Sequence, residues 1–153
     1  MVVDTGPLFA LINKSDAWHE RVLHWWERAD ADVVIAGPVL PEVCYLLNTR
    51  ISPLAEIDFL QFVRRGEFEV EYAVATDIDR AVELMKKYVN FPLGYVDASV
   101  VAIAERLGSR TICTTDRRHF GSMRDKKGRA FALVPGPAAR TTRPGASPAG
   151  GAP

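Results

Sequence analysis

GYVDASVVAIAERLGSRTICTTDRRHF, residues Gly94 to Phe120, carries a helix, a stop, a buried strand and an acid in one run. Val96, Val100, Ile103 and Leu107 recur at helical spacing, which predicts a helix from about Tyr95 to Leu107 with those four as its buried face. Gly108 falls just past its end, where a left-handed cap favours glycine. TICTT at 111–115 then reads as a short strand, with Asp116 directly after it. Parallel strands of an α/β sheet open their carboxyl ends onto one crevice, so an acid placed there carries more weight than one on a helix face.

Both directions along the chain repeat this alternation. Upstream, VVD is a short β-branched opening, Pro7 to Asn13 a brief helical turn, and Asp16 to Arg28 an amphipathic helix with Trp18, Val22, Trp25 and Ala29 on one side. DVVIA at 32–36 reads as a buried strand. Pro38 and Pro41 start a helix through Val43, Leu46 and Leu47, and because proline is tolerated only in the first turn, Glu42 must sit near that helix's N-terminus. Ser52 with Pro53 opens another helix, and FEVEY follows as a strand. Thr76 is expected to cap a helix whose apolar stripe is Ile78, Val82, Met85 and Val89, broken at Asn90-Phe91-Pro92. FALV at 131–134 supplies the last strand. The expected fold is an α/β three-layer sandwich with a mostly parallel central sheet flanked by helices.

Composition agrees with one ordinary globular domain: 153 residues, 48% hydrophobic and 25% charged. Residues 1–134 should fold as a unit. From Pro135 the chain reads PGPAARTTRPGASPAGGAP, too poor in apolar side chains to offset its ordering entropy, so 135–153 is expected to be a disordered tail. No run approaches the roughly 20 apolar residues of a membrane span, and MVVDTG does not open like a secretory signal. A cytoplasmic protein without membrane contact, keeping Cys44 and Cys113 as free thiols, is the expectation.

The net charge of zero hides a division along the chain. Residues 1–105 carry 17 acids against 9 Lys and Arg, and residues 106–153 carry 2 against 10. Such asymmetry points to nucleic acid or to an oppositely charged partner, against the plainer alternative of a solvated face beside a basic tail.

Four acids fall where the topology could gather them. Asp4 ends the first strand, Asp116 follows TICTT, and Glu42 and Asp97 lie in first turns of helices that should begin on the same side of the sheet. Taken singly, each has a bland role as a helix-dipole partner, cap or turn former. Together, sequestered from water, they would repel one another unless a hard dication such as Mg²⁺ or Mn²⁺ joined them. Asp58, Glu67, Glu69, Glu71, Asp77, Asp79 and Glu83 read as solvated or capping positions. His19 and His24 lie on the tryptophan helix as surface or core positions, and His119 sits only three residues beyond Asp116.

VDTGPLFAL, PEVCYLL, GYVDASVVAIAERLG and TICTTDRRHF, in this order and spacing, resemble the four motif blocks of PIN-domain ribonucleases. The toxin subunits of VapBC-type toxin–antitoxin pairs match best in size. The resemblance implies a PIN-like fold over residues 1–134 and an acidic metal-binding quartet at Asp4, Glu42, Asp97 and Asp116, the first and third usually the most direct ligands. It also implies supporting hydroxyls at Thr5 and Thr115, and an Mg²⁺- or Mn²⁺-dependent endoribonuclease leaving 5′-phosphate ends. Its implied partners are RNA, a second copy of the chain, and a VapB-type antitoxin whose C-terminal segment can insert an Arg among the carboxylates. Pro41 immediately before Glu42 and the Pro/Gly-rich tail depart from the family's pattern.

An acidic site repels RNA, so cations must hold it. Between 106 and 134 lie Arg106, Arg110, Arg117, Arg118, Arg124, Lys126, Lys127 and Arg129 against Asp116 and Asp125, and Arg117 and Arg118 are the expected substrate contacts nearest the acids. Trp18, Leu23, Trp25 and Trp26 offer a surface for an antitoxin helix or a second copy. Asp4-Thr5-Gly6 also matches an aspartic-protease triplet, but the helical periodicity opposes that β-rich class. A receiver or aspartyl-phosphate phosphatase should place a Lys after a later strand, where this chain has Asp-Arg-Arg. The remaining alternative is a catalytically inactive PIN-like module that binds RNA or a partner.

Overall fold

The computed structural model describes residues 1–30, 32–91 and 93–136. Among them five strands form one all-parallel sheet: β1 (Val2–Val3), β2 (Val34–Ala36), β3 (Glu69–Glu71), β4 (Thr111–Cys113) and β5 (Ala132–Val134), in spatial order β3-β2-β1-β4-β5. Val3 pairs with Ile35 on one side and with Cys113 on the other, so β1 is the central strand. Its two residues are fully buried, which accounts for an uninterrupted apolar run where a half-exposed strand would alternate.

The helices α1 (Thr5–Ile12), α2 (His19–Trp26), α3 (Val39–Arg50) and α4 (Pro53–Arg64) pack as one group, and α5 (Ala75–Lys87) packs on α6 (Tyr95–Arg106) as another. A short α7 (Arg117–Ser122) joins β4 to β5. After β1 the chain builds the sheet outward through β2 and β3, then crosses back to lay β4 on the other flank of β1. Right-handed crossovers in opposite directions place their helices on opposite faces, giving the three expected layers. No helix among the described residues is long and apolar enough to cross a membrane.

The local readings hold where chemistry fixes them. Ser52 is extended and its hydroxyl accepts from Ala55 N at 3.1 Å, with Pro53 at N1. Pro41 is the third residue of α3, where its missing N–H has no intrahelical partner to lose, so the helix is unbroken and Glu42 stands in its first turn. Gly108 caps α6 at φ 67°.

Other readings need correction. Thr76 does not cap α5: Val74 occupies the N-cap, and the Asp77 carboxylate folds back to accept from Val74 N at 3.0 Å. The stripe of Ile78, Val82 and Val89 is exposed, whereas Asp77, Ala81 and Leu84 face the core. An ion-pair cluster inverts the pattern, because Asp77 is needed inside to meet Arg106. Leu107 is likewise exposed, and α6 is buried on nearly all sides from Ala98 to Ala104, a central helix with no solvated face. Trp25 and Trp26 are half-buried, and the apolar side chains most open to solvent lie instead on α4, with Leu54, and beyond α5, with Val89. Pro135, read as the start of the tail, is buried; the rest of the tail from residue 137, and the breaker residue Pro92, lie outside the described residues.

Candidate active site

The strand order reverses direction at β1, between β2 and β4. Carboxyl ends of parallel strands diverge at such a switch point and leave a crevice. Asp4 follows β1 and Thr114 follows β4 at this place, joined by Asp4 N donating to Cys113 O at 2.9 Å. Asp116 is three residues past the end of β4, and α6 begins here with Asp97 in its first turn.

Asp4 is only 6% exposed. Its Oδ2 accepts from the Thr114 hydroxyl at 2.8 Å, and the same hydroxyl oxygen accepts from Asp116 N at 2.9 Å. One fully buried threonine therefore ties two of the four acids together. Thr5 donates its hydroxyl to Glu42 Oε2 and so fixes the acid of α3 against the start of α1. Asp116 is the N-cap of α7: its Oδ1 accepts from Arg118 N and His119 N at 2.9 and 2.8 Å, while Oδ2 meets His119 Nδ1 at 2.5 Å. The His119 ring packs edge-on against Phe91, centroids 4.7 Å apart.

Asp4 feels the charges of Asp97 and Glu42, and Asp97 those of Asp116 and Glu42. Burial pushes Asp4 up to about 7, opposed by the Thr114 hydroxyl and reinforced by the charges of Asp97 and Glu42. Asp97 is raised by its own burial, relieved by His119, and raised further by Asp116 and Glu42. Asp116 shows the reverse. Burial would raise it, but hydrogen bonds from His119, its backbone and ring alike, and from the Arg118 N–H hold it below the ordinary carboxylate value. Among the described residues no three His, Cys, Asp or Glu side chains stand close enough together to hold a metal ion between them as they are placed. An open set of carboxylates suits Mg²⁺, which keeps several waters and takes few protein oxygens, and a dication would offset the repulsion that raises Asp4 and Asp97.

Thr115, expected as a supporting hydroxyl, serves by packing. A Cβ on Gly6 would meet Thr115 Oγ1 far inside contact distance, so the glycine of VDTG lets the segment after β4 close down on the first turn of α1. The hydroxyl that ties Asp4 to Asp116 is Thr114, which the sequence reading passed over. Its signal was there: a hydroxyl directly after the buried end of a strand must find a partner. Thr114→Val keeps the shape and removes that partner. It is expected to cost about 1–3 kcal/mol, read by urea titration, because Asp4 loses a donor and Asp116 N is left unpaired.

The stretch 106–134, read as a single cationic surface beside the acids, is divided by the fold. Arg106 is bound to Asp77 and Glu71 on the far side of α6, Arg124 turns back on the carbonyls of Gly121 and Met123, and Arg129 pairs with Asp125. Arg117 donates Nη1 to Leu133 O at 2.9 Å and lies over the Trp18 ring. Arg118 is the exposed cation next to Asp116, over Phe91.

The sequence pattern of the family described as PIN domain matches residues 1–126. The chain belongs to the PIN domain family. Within it, the chain is 33% identical over 136 residues to Ribonuclease VapC26 of Mycobacterium tuberculosis, an alignment covering 88% of this chain and 100% of that protein. Among solved structures it is similar to VapC20 of Mycobacterium tuberculosis, described as a sarcin–ricin loop cleaving toxin, with a TM-score of 0.72 at 25% identity over 76% of this chain and 90% of that one. The DNA-bound VapBC complex of Salmonella typhimurium contains the same fold, with a TM-score of 0.60 at 18% identity over 86% of this chain and 94% of that one.

Proposed function

We propose that this PIN domain is an Mg²⁺- or Mn²⁺-dependent endoribonuclease and the toxin component of a VapBC-type pair, acting in the cytoplasm. The observation that carries the reading is the convergence of Asp4, Glu42, Asp97 and Asp116 at the switch point, with Asp4 raised to about 7 by burial and by its neighbours' charges. The identity to Ribonuclease VapC26 over the whole of that protein supports the choice of RNA as substrate.

Asp4 and Asp97, the two acids raised toward neutrality, would hold the metal, with Glu42 and Asp116 completing its surroundings. When bound, the metal would lower the pKa of a water and offset charge gathering on phosphorus and the leaving oxygen. The chain's own residues orient the acids. Thr114 fixes Asp4, Thr5 fixes Glu42, and His119 with two backbone N–H groups fixes Asp116. Arg118, exposed and adjacent, would take a phosphate beside the cut, and Arg117 would act through the wall it builds under Trp18.

Two apolar surfaces support the reading of an antitoxin and a second copy as partners. A groove of about 450 Å³ between α1, α2 and α4, floored by Trp26, Phe59, Phe62 and Phe68, suits the apolar face of an antitoxin helix. The exposed Ile78, Val82 and Val89 suit the mirrored face of a second copy in a homodimer.

The test is cleavage of total RNA by purified protein freed of any co-purifying antitoxin, with Mg²⁺ or Mn²⁺. Discrete fragments bearing 5′-phosphates, absent in EDTA and in Asp97→Asn, are the expected result. Intact RNA under all conditions would reject the nuclease reading in favour of a binding module.

A further inference from the structure

Apart from Arg118, the cations of this stretch that stay free are not beside the acids. α6 runs from the acids at its N-terminus to Gly108 at the opposite end of the sheet, about 16 Å away at 1.5 Å per residue. At that far end Arg110 enters β4 and Phe131 enters β5, and both line a cleft of about 250 Å³ together with Lys126 and Lys127. The two lysines sit on a tight turn. Asp125 Oδ1 accepts from Lys127 N at 2.9 Å and Arg129 N at 2.8 Å, Gly128 takes φ 76°, and Arg124 bridges to Ala130.

The acids of this cleft are already engaged. Glu105 is gripped by Arg80 at 2.8 Å and Asp125 by Arg129 at 2.8 Å. Among the described residues Arg110, Lys126 and Lys127 have no acidic partner; Arg110 donates only to the Ala130 carbonyl, and all three are exposed. Phe131 at the floor is largely buried. Two open lysines and an arginine are unlike the core of a protein interface, which is depleted in lysine, and like a phosphate-backbone contact.

We infer that this cleft is a second, remote binding site for the phosphate backbone of the substrate RNA, so that the enzyme holds a folded RNA at two places on opposite ends of the sheet. The inference rests on the nuclease reading for the identity of the RNA, but its chemistry is independent of cleavage. Its consequence is a substrate preference: an RNA large enough to reach around the domain is held by both sites, and a short single strand by the acid end alone.

Binding in EDTA separates the two questions, since no cleavage is needed. The full chain and its Lys126→Glu/Lys127→Glu variant are titrated with a long stem–loop RNA, a short single-stranded oligonucleotide and polyglutamate across a salt series. The expected result is at least about a tenfold loss of stem–loop affinity in the variant, with the slope of log affinity against log salt shallower by about 1.5 to 2, and no change for the short strand. Arg110→Gln, which adds no negative charge, is expected to weaken the stem–loop alone by a smaller factor and to lower the slope by about one. Equal stem–loop affinity in parent and variants would overturn the inference, as would polyglutamate binding more tightly than RNA and losing that binding in the variant. RNA bound through the cleft but left uncut in Mg²⁺ would reject the nuclease reading alone, and RNA cut normally with no role for the cleft would reject the inference alone.

Discussion

Asp4→Asn is expected to abolish RNA cleavage, by more than about 100-fold, while making the metal-free protein more stable than its parent at neutral and alkaline pH. Loss of function with gain of stability is the mark of a group held against its own preference. Asp4 is buried, faces Asp97 and Glu42, and is raised from 3.8 to about 7. An unfolded chain leaves the same carboxyl near its ordinary value, so the folded state binds the proton more tightly. The stability this lends is fully present below about pH 4 and is lost as pH rises through about 7, where both states are ionised and the folded one bears the full cost. A shift of this size corresponds to something on the order of 4 kcal/mol. Asparagine keeps the acceptor for Thr114 and carries no charge, so its melting temperature should fall less than the parent's over the same interval, the remaining fall coming from Asp97.

Metal reverses the comparison. If Asp4 and Asp97 bind a dication, adding Mg²⁺ at about pH 8 should raise the parent's melting temperature and leave Asp4→Asn nearly unmoved, because ligands that bind only the folded state stabilise it by mass action. Calorimetry with and without EDTA reads both effects, and it does so without any RNA. A parent whose stability is flat from about pH 4 to 8, or a variant that responds to Mg²⁺ as the parent does, would remove Asp4 from the metal site.

The legible part of this site was the part written in secondary-structure chemistry. Each acid was visible because it stood next to a strand end or in a helix's first turn, and Pro41 itself marked the turn in which Glu42 lies. What could not be read was pairing across the chain. Thr114 reaches Asp4 over a separation of 110 residues, and Arg106 reaches Asp77 over 29; neither spacing has a local period to betray it. The same blindness explains the α5 stripe. Ile78, Val82 and Val89 form a regular apolar row, and regularity alone assigns them to the core, but the buried side of α5 is claimed by an ion pair. The basic stretch differs: eight cations are close in sequence, but the crossing of α6 and β4 separates them to two ends of the sheet.

Arg106→Ala is expected to destabilise the protein by about 3 kcal/mol. Arg106 Nε lies 2.9 Å from Asp77 Oδ2, Nη1 lies 2.9 Å from Glu71 Oε1, and Nη2 donates to the Tyr72 carbonyl at 3.3 Å, so one guanidinium joins α6 to the start of α5 and to β3. Asp77 is 3% exposed. With the arginine gone its charge would be left buried with only the Val74 N–H for company, and that uncompensated carboxylate, not the lost attraction, supplies most of the cost. The double variant Arg106→Ala/Asp77→Asn therefore should recover part of the loss, because asparagine still accepts from Val74 N and needs no counter-ion. Urea titration of the parent, the single and the double variant measures this directly. A double variant less stable than Arg106→Ala would mean that the clamp acts through packing of the arginine stem across α5 and α6, and that Asp77 tolerates its charge in the fold unaided.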